Sequence, residues 1–169
     1  KLSATLQTYS GDPQNPAVLL SMAQLAYQLK QPQVAEGHLR RYLDLPPSIQ
    51  RDNATAWLFL GQIAEDDKRY DDADRWLAQI TSGDQTVPAL VRRALIKAKA
   101  GKVEAGRELL RTATVSSPRE RVQLISAEAQ LLREAGRNKA AFDLLNQALE
   151  RQPENPDLLY DQAMAAERI

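Results

Sequence analysis

Equivalent helix starts recur along this chain at nearly constant intervals, and this periodicity constrains the fold more than any other feature. Five starts can be aligned, and the intervals between them are 38, 33, 35 and 34 residues: Pro16, Ala54, Val87, Val122 and Pro156. Each interval contains two stretches with apolar residues at helical spacing, separated by a polar turn. One helix pair has too little interior to be stable alone, so this period predicts an array of stacked pairs.

Residues 54–77 carry the pattern of one helix pair most clearly. Four residues at positions i, i+3, i+4 and i+7 form one helix stripe: Trp57, Leu60, Gly61 and Ala64. A second stripe follows a polar turn and consists of Tyr70, Ala73 and Leu77. Glycine inside a helix costs about 1 kcal/mol relative to alanine, so Gly61 predicts a close approach of the partner helix. We expect Tyr70 or Ala73 to fill that space.

Capping residues predict where several of these helices begin. Asn15, which is followed by proline, suits the cap of one helix, and Asn53 suits the cap of the helix that carries Trp57. Ser117 and Glu120 resemble a capping box around a proline. Glycine marks the turn inside the third and fourth pairs, at positions 101 and 136.

These signals predict one array that occupies the whole chain. Its expected parts are a trailing helix at 1–12, four repeats at 16–49, 54–86, 87–121 and 122–155, and the first helix of a further repeat at 156–169.

Composition excludes several classes of protein. Lys plus Arg and Asp plus Glu number 22 each, so nucleic acid and anionic membranes are not expected as default partners. Cysteine is absent, which removes disulfides, thiolate chemistry and cysteine-ligated metal. His38 is the only histidine, and no Gly-rich phosphate loop is present. We therefore expect no catalytic residues, no metal site and no cofactor.

Two clusters of charged residues have plain interpretations. Acidic residues crowd the turn after Ala64, but the spacing of a calcium loop is missing and Lys68 and Arg69 interrupt it, so a solvated, partly neutralised turn is expected. The third pair carries a basic group that could dock an acidic protein, and it consists of Arg92, Arg93, Lys97, Lys99, Lys102, Arg107 and Arg111.

The residues within the period resemble the tetratricopeptide repeat family. The first helix of the second pair has Trp57, Leu60 and Gly61, and the second helix has Ala73 four residues before Leu77. Small residues recur in the first helices at 23, 61, 94, 129 and 163, and prolines close several units. This resemblance extends over essentially the whole chain. It implies an all-α, right-handed superhelical solenoid of antiparallel helix pairs.

The resemblance also implies a function, because first helices in this family line a concave face that holds partner proteins or peptides. The expected role is a non-catalytic scaffold or adaptor. The residues expected to bind the partner are Leu20, Gln24, Tyr27, Gln28, Leu58, Gln62, Glu65, Val91, Leu95, Lys99, Gln130, Arg133, Tyr160 and Met164.

Residues 155–168 are similar to long repeat-containing lipoproteins of Gram-negative bacteria, some of which are partners of carboxy-terminal processing proteases. This implies an outer-membrane anchor, a periplasmic location and delivery of substrates to a protease. Two alternatives remain open: the substrate-recognition arm of a larger enzyme, and a chaperone for secreted subunits. The sequence itself does not fix the compartment.

Overall fold

The computed structural model describes residues 14–169, and this part of the chain contains nine α-helices and no strand. The helices are α1 (Pro16–Gln28), α2 (Pro32–Leu43), α3 (Asn53–Asp66), α4 (Tyr70–Ala78), α5 (Thr86–Lys99), α6 (Val103–Arg111), α7 (Pro118–Glu134), α8 (Asn138–Arg151) and α9 (Pro156–Ala166). The expected all-α class is confirmed. The helix expected at 1–12 lies outside the described residues, and the division into repeats stays a prediction.

Two compact units divide the chain: unit 1 is Lys1–Gln79 and unit 2 is Ile80–Ile169. In unit 1, α1 packs on α2, α2 on α3, and α3 on α4. Leu19, Leu39 and Leu60 are fully buried in one apolar cluster between these helices. Both tryptophans of the chain, Trp57 and Trp76, belong to unit 1.

Two apolar clusters lie within unit 2 and involve all five of its helices. Leu110, Leu124 and Leu131 lie in the first, between α5, α6 and α7. Leu145 and Leu158 lie in the second, between α7, α8 and α9. The helices α5, α7 and α9 follow one another in contact, because α7 touches both α5 and α9. First helices of three successive pairs are therefore neighbours in unit 2.

Each helix pair turns through one residue with a left-handed backbone. The φ angles are 60° at Lys30, 56° at Lys68, 82° at Gly101 and 75° at Gly136. The next amide donates to the carbonyl five residues earlier in every case, with N···O distances of 2.8–2.9 Å. This is the hydrogen bond of the Schellman motif, which satisfies a carbonyl at the helix end.

Helix caps confirm one expectation and correct another. Asn15 Oδ1 accepts hydrogen bonds from the amides of residues 17 and 18, at 3.0 and 3.3 Å. The expected cap at Asn53 is wrong, because Asp52 Oδ1 accepts from the Ala54 amide at 3.0 Å and Asn53 is already the first residue of α3. An ionised carboxylate near the positive end of the helix suits this position at least as well as an amide.

The predicted capping box forms in a modified version. Ser117 Oγ accepts from the Glu120 amide at 3.2 Å, as expected. The Glu120 carboxylate, however, accepts from the amide and hydroxyl of Ser116, at 2.7 and 2.8 Å, one residue before the cap. The bond from the Ser116 amide, followed by that from its hydroxyl, holds the pKa of Glu120 below its usual value.

Two glycines allow helices to approach closely. A Cβ atom on Gly61 would lie 3.0 Å from the Leu77 side chain, so Leu77 fills the space that we expected Tyr70 or Ala73 to fill. Leu77 is one turn further along the inner stripe of α4 than Ala73. In unit 2, a Cβ atom on Gly106 would lie 2.6 Å from the backbone oxygen of Ala94. Only glycine fits there without a backbone shift.

The connector between α2 and α3 is organised by Arg51. Its guanidinium donates to four backbone carbonyls at 2.7–3.0 Å, those of Leu43, Leu45, Pro46 and Ile49. Leu43 is the last residue of α2, so its carbonyl has no partner within the helix, and the other three carbonyls belong to the connector itself.

Candidate functional site

A cavity of about 480 Å³ opens between the three first helices of unit 2. We call it the unit 2 groove. Its lining consists of Val87, Pro88 and Val91 on α5, Val122, Gln123, Ser126, Ala127, Gln130 and Arg133 on α7, and Asp157, Tyr160 and Asp161 on α9.

Helical spacing explains why these side chains share the groove. On α7, positions 123, 126, 130 and 133 follow one another at three- and four-residue steps, which places them along one stripe. Residues such as Leu124 and Leu131 lie on another side of α7 and are buried in the core. On α9, positions 157, 160 and 161 are likewise three and four residues apart, so Asp157, Tyr160 and Asp161 lie along one stripe. Core packing of α7 therefore turns its polar stripe toward the groove.

The groove combines apolar and polar groups. Val87 and Val91 come from α5, and Val122 and Ala127 come from α7, so one part of the lining is aliphatic. Amide, hydroxyl and carboxylate groups complete it. A mixture of this kind can desolvate apolar side chains of a ligand while hydrogen bonding to its backbone.

Some polar groups of the groove are already bonded within unit 2. Arg133 Nη1 donates to the backbone oxygen of Asp161 at 3.3 Å and lies 3.9 Å from its carboxylate, and both side chains are only 16% exposed. Gln130 Nε2 donates to Glu134 at 2.9 Å. Arg133 thus links α7 to α9.

Other polar groups of the groove have no such bond. The side chains of Gln123, Ser126, Asp157 and Tyr160 make no hydrogen bond or ion pair to another residue within the described range 14–169. These four side chains can therefore bond to a ligand without first breaking an internal contact.

Four residues expected to bind a partner meet in this groove: Val91, Gln130, Arg133 and Tyr160. Three others of unit 2 do not line it. Leu95 packs on the cluster around Leu110, Lys99 is exposed at the end of α5, and Met164 is half-buried on α9. The assignment of all these residues to partner binding stays a prediction.

Sequence reasoning left Gln123, Asp157 and Asp161 out of the expected site. A signal existed for two of them, because Gln123 is seven residues before Gln130 and Asp157 is three before Tyr160. Positions one or two turns earlier on the same stripe share the same face.

Two of the expected site residues of unit 1, Tyr27 and Gln62, are bonded to Asp66 at the end of α3. The Tyr27 ring meets Phe59 edge to face, with centroids 5.5 Å apart, and its hydroxyl donates to Asp66. Gln62 Nε2 donates to the same carboxylate at 2.7 Å. Leu20 packs on the unit 1 core. Two further amides, Gln24 and Gln28, are exposed, while Leu58 and Glu65 are half-buried.

Two members of the expected basic surface have an internal role. Arg107 Nε and Arg111 Nη2 lie 2.9 and 2.8 Å from Glu128 Oε1, whose side chain is 4% exposed. Burial alone would lower the pKa of Arg107, but its hydrogen bond to Glu128 and the attraction of that charge raise it. Arg107 and Arg137 also contact Glu104, and the bond from Arg137 lowers the pKa of Glu104. These charges join α6, α7 and the start of α8.

The acidic turn of unit 1 is partly neutralised, as expected. Arg69 binds Asp67 at 2.8 Å and Asp72 at 3.4 Å, and it also bonds to Glu36 on α2. The hydrogen bond to Glu36 raises the pKa of Arg69. Within residues 14–169, no three acidic or histidine side chains are grouped to hold a metal ion. No helix in that range combines the length and apolar character of a bilayer span.

Comparison with known proteins identifies the family. The tetratricopeptide repeat family model matches residues 20–85 and 126–169, which is more than half of the chain. This chain belongs to the tetratricopeptide repeat family. A TPR repeat-containing protein of Pseudomonas aeruginosa, PA4667, is 31% identical over 109 residues, or 64% of this chain. The match spans only 18% of that relative.

Two solved structures have a similar fold. The crystal structure of MamA matches with a TM-score of 0.61 at 18% identity, and the match covers 88% of this chain and 84% of MamA. The structure of a putative kinesin light chain of Podospora anserina with nearly identical TPR-like repeats matches with a TM-score of 0.57 at 18% identity. This match covers 94% of this chain and 88% of that protein. The expected fold class, a TPR-type helical solenoid, is confirmed.

Proposed function

We propose that this chain is a non-catalytic scaffold or adaptor that binds a protein partner, and that an extended segment of the partner lies in the unit 2 groove. Proteins with this fold are in general interaction modules. Support for the groove comes from one observation: an aliphatic wall faces polar side chains that make no bond to another residue within positions 14–169.

An extended peptide presents both kinds of group that this lining suits. Its backbone amides and carbonyls need partners once water is removed, and Gln123 and Ser126 offer donors and acceptors on α7. Its apolar side chains gain from burial against Val87 and Val91 on α5. A volume of about 480 Å³ holds a few side chains, so a short stretch of the partner carries the contact.

A displayed library of random peptides tests this proposal. The unaltered protein should enrich a set of peptides, and Ser126→Trp, which fills the groove from its α7 wall, should weaken them at least about tenfold. Lys139→Trp is the matched control, because Lys139 is exposed on α8 and does not line the groove. Equal binding by all three proteins would place the partner elsewhere on the chain.

We propose further that the partner is a carboxy-terminal processing protease or its substrate, held at the outer membrane by a lipid anchor on the full-length protein. The similarity of residues 155–168 to repeat-containing lipoproteins supports this narrower form, and the same stretch supplies the α9 wall of the groove. Co-purification of such a protease with the full-length protein, lost in Ser126→Trp, is the expected result. A protease that neither co-purifies nor changes its cleavage rate would exclude this partner.

A further inference from the structure

We infer that the partner segment in the unit 2 groove presents a lysine or arginine side chain, which Asp157 and Tyr160 recognise together. This inference rests on the proposed function and adds the chemistry of the ligand.

The charges of the groove point to a cation. Its lining contains one guanidinium, on Arg133, and two carboxylates, on Asp157 and Asp161. Arg133 is bonded to the backbone of Asp161 and lies near its carboxylate, so these two charges largely offset each other. Asp157 has no ion-pair partner among residues 14–169. A ligand that buries this carboxylate without bringing a positive charge would carry the cost of its desolvation.

The aromatic ring beside this carboxylate favours the same ligand. Tyr160 is 67% exposed, which is unusual for so large an apolar surface, and it lies three residues after Asp157 on the same stripe of α9. The face of an aromatic ring attracts a cation, and the aliphatic stem of lysine or arginine can cover the ring while its charged end reaches a carboxylate. An acidic segment would meet repulsion at this wall.

The α5 and α9 walls of the groove differ in chemistry, and this difference determines which side chains of the segment face each wall. The α5 wall contributes Val87, Pro88 and Val91 and carries no charge in the groove, whereas the α9 wall is anionic and aromatic. The basic residue of the segment therefore faces α9, and an aliphatic residue faces α5. Between them, the α7 side chains bond to the peptide backbone.

Asp157 also stands in the first turn of α9, where a carboxylate stabilises the helix whether or not a ligand is bound. The test must separate these roles, so it uses one variant that changes the charge and one that keeps it. Asp157→Asn removes the charge at nearly constant shape, and Asp157→Glu retains it. Asp143→Asn is the matched control, since Asp143 is exposed on α8 and outside the lining.

The random-peptide library is applied to the full chain and each variant, and thermal unfolding is recorded for each. The unaltered protein and Asp143→Asn should enrich peptides with lysine or arginine at one position. Asp157→Asn should lose that preference and bind the enriched peptides about threefold to fivefold more weakly, Tyr160→Ala should weaken them by a similar factor, and Asp157→Glu should restore the preference.

Three other results would overturn the inference, and they differ in whether the proposed function survives. Enriched peptides that Ser126→Trp rejects but that show no basic position would overturn this inference and leave the proposed function standing. A basic preference that survives Asp157→Asn would also overturn it. If the unaltered protein enriches no peptide, both the inference and the proposed function fail.

Discussion

Units 1 and 2 make the same turn inside their helix pairs with different residues. Lysine occupies the left-handed position in unit 1, at residues 30 and 68, and glycine occupies it in unit 2, at residues 101 and 136. All four turns keep the same backbone hydrogen bond to a carbonyl five residues earlier. The hydrogen-bonded geometry is therefore the fixed requirement, and lysine meets it at a conformational cost of about 1 kcal/mol that glycine avoids.

The units also differ in how their helices are held together. Unit 1 uses a partly exposed ion pair between Glu36 and Arg69, and unit 2 buries Glu128 between two arginines. The close contacts at helical glycines are also more constrained in unit 2 than in unit 1. Gly61 of unit 1 faces a leucine side chain that can move, whereas Gly106 of unit 2 faces a backbone oxygen that cannot move alone. Unit 2 should therefore tolerate fewer changes at equivalent features.

The largest expected difference concerns the two ion pairs. Glu128→Gln leaves the charges of Arg107 and Arg111 without their buried partner and should lower the free energy of unfolding by about 2–3 kcal/mol. Glu36→Gln should cost less than about 1 kcal/mol, because Arg69 is partly exposed and keeps Asp67 and Asp72. Urea unfolding followed by circular dichroism measures both. Equal losses would show that burial does not distinguish the two pairs.

The glycines provide the next comparison. Gly106→Ala should destabilise the protein by about 2 kcal/mol, because its Cβ forces the backbones of α5 and α6 apart. Gly61→Ala should change the free energy of unfolding by less than about 1 kcal/mol, since the cost of a small shift of Leu77 is offset by the better helix propensity of alanine. Tryptophan fluorescence follows unit 1 specifically, because both tryptophans lie in it. A larger loss at Gly61 would reverse the comparison.

Substitutions at the turns should act in opposite directions. Lys30→Gly should stabilise the protein by about 0.5–1 kcal/mol, because it relieves the left-handed strain and the gain exceeds the added entropy of the unfolded chain. Gly136→Ala should destabilise it by about 1 kcal/mol for the converse reason, although open space surrounds its Cβ position. Thermal and urea unfolding of each variant measure the sign of the change in the free energy of unfolding. Two changes of the same sign would show that left-handed strain does not determine stability at these turns.

The smallest effect concerns pH and belongs to unit 1, which holds the only histidine. Burial, and then the charge of Arg41, lower the pKa of His38 from its usual 6.5. The unfolded chain therefore binds more protons than the folded chain just below pH 6.5, and stability should fall as the pH drops through that range. Urea unfolding followed by tryptophan fluorescence should show this dependence. His38→Gln should remove it, and an unchanged slope would exclude His38 as the source.

Periodicity predicted an array of stacked helix pairs, and the family resemblance added that the first helices line the binding face. The spacing of starts placed Val91, Gln130 and Tyr160 on first helices, and the structure brings these three side chains to one cavity. Gln123 and Asp157, which also line the cavity, follow from Gln130 and Tyr160 only by moving two turns and one turn back along the same helix stripe.

Ion pairs between residues far apart along the chain could not be predicted from the sequence. Arg133 and Asp161 are 28 residues apart, and only the packing of α7 on α9 makes them partners. The buried Glu128 was not predicted for the same reason, because its partners Arg107 and Arg111 are 21 and 17 residues away along the chain. The polar turns were expected, but the left-handed backbone at Lys30 and Lys68 was not, because that conformation is usually read from glycine, which is absent there.

The connector held by Arg51 has a consequence for how the length of such a chain can vary. The longest interval between helix starts, 38 residues, contains this connector. Added backbone brings added carbonyl groups, and here one side chain supplies their donors from within the loop, while α2 and α3 remain in contact. An insertion that carries its own arginine is thus accommodated locally. Engineers who wish to lengthen a linker in this array have a ready template at residues 44–52.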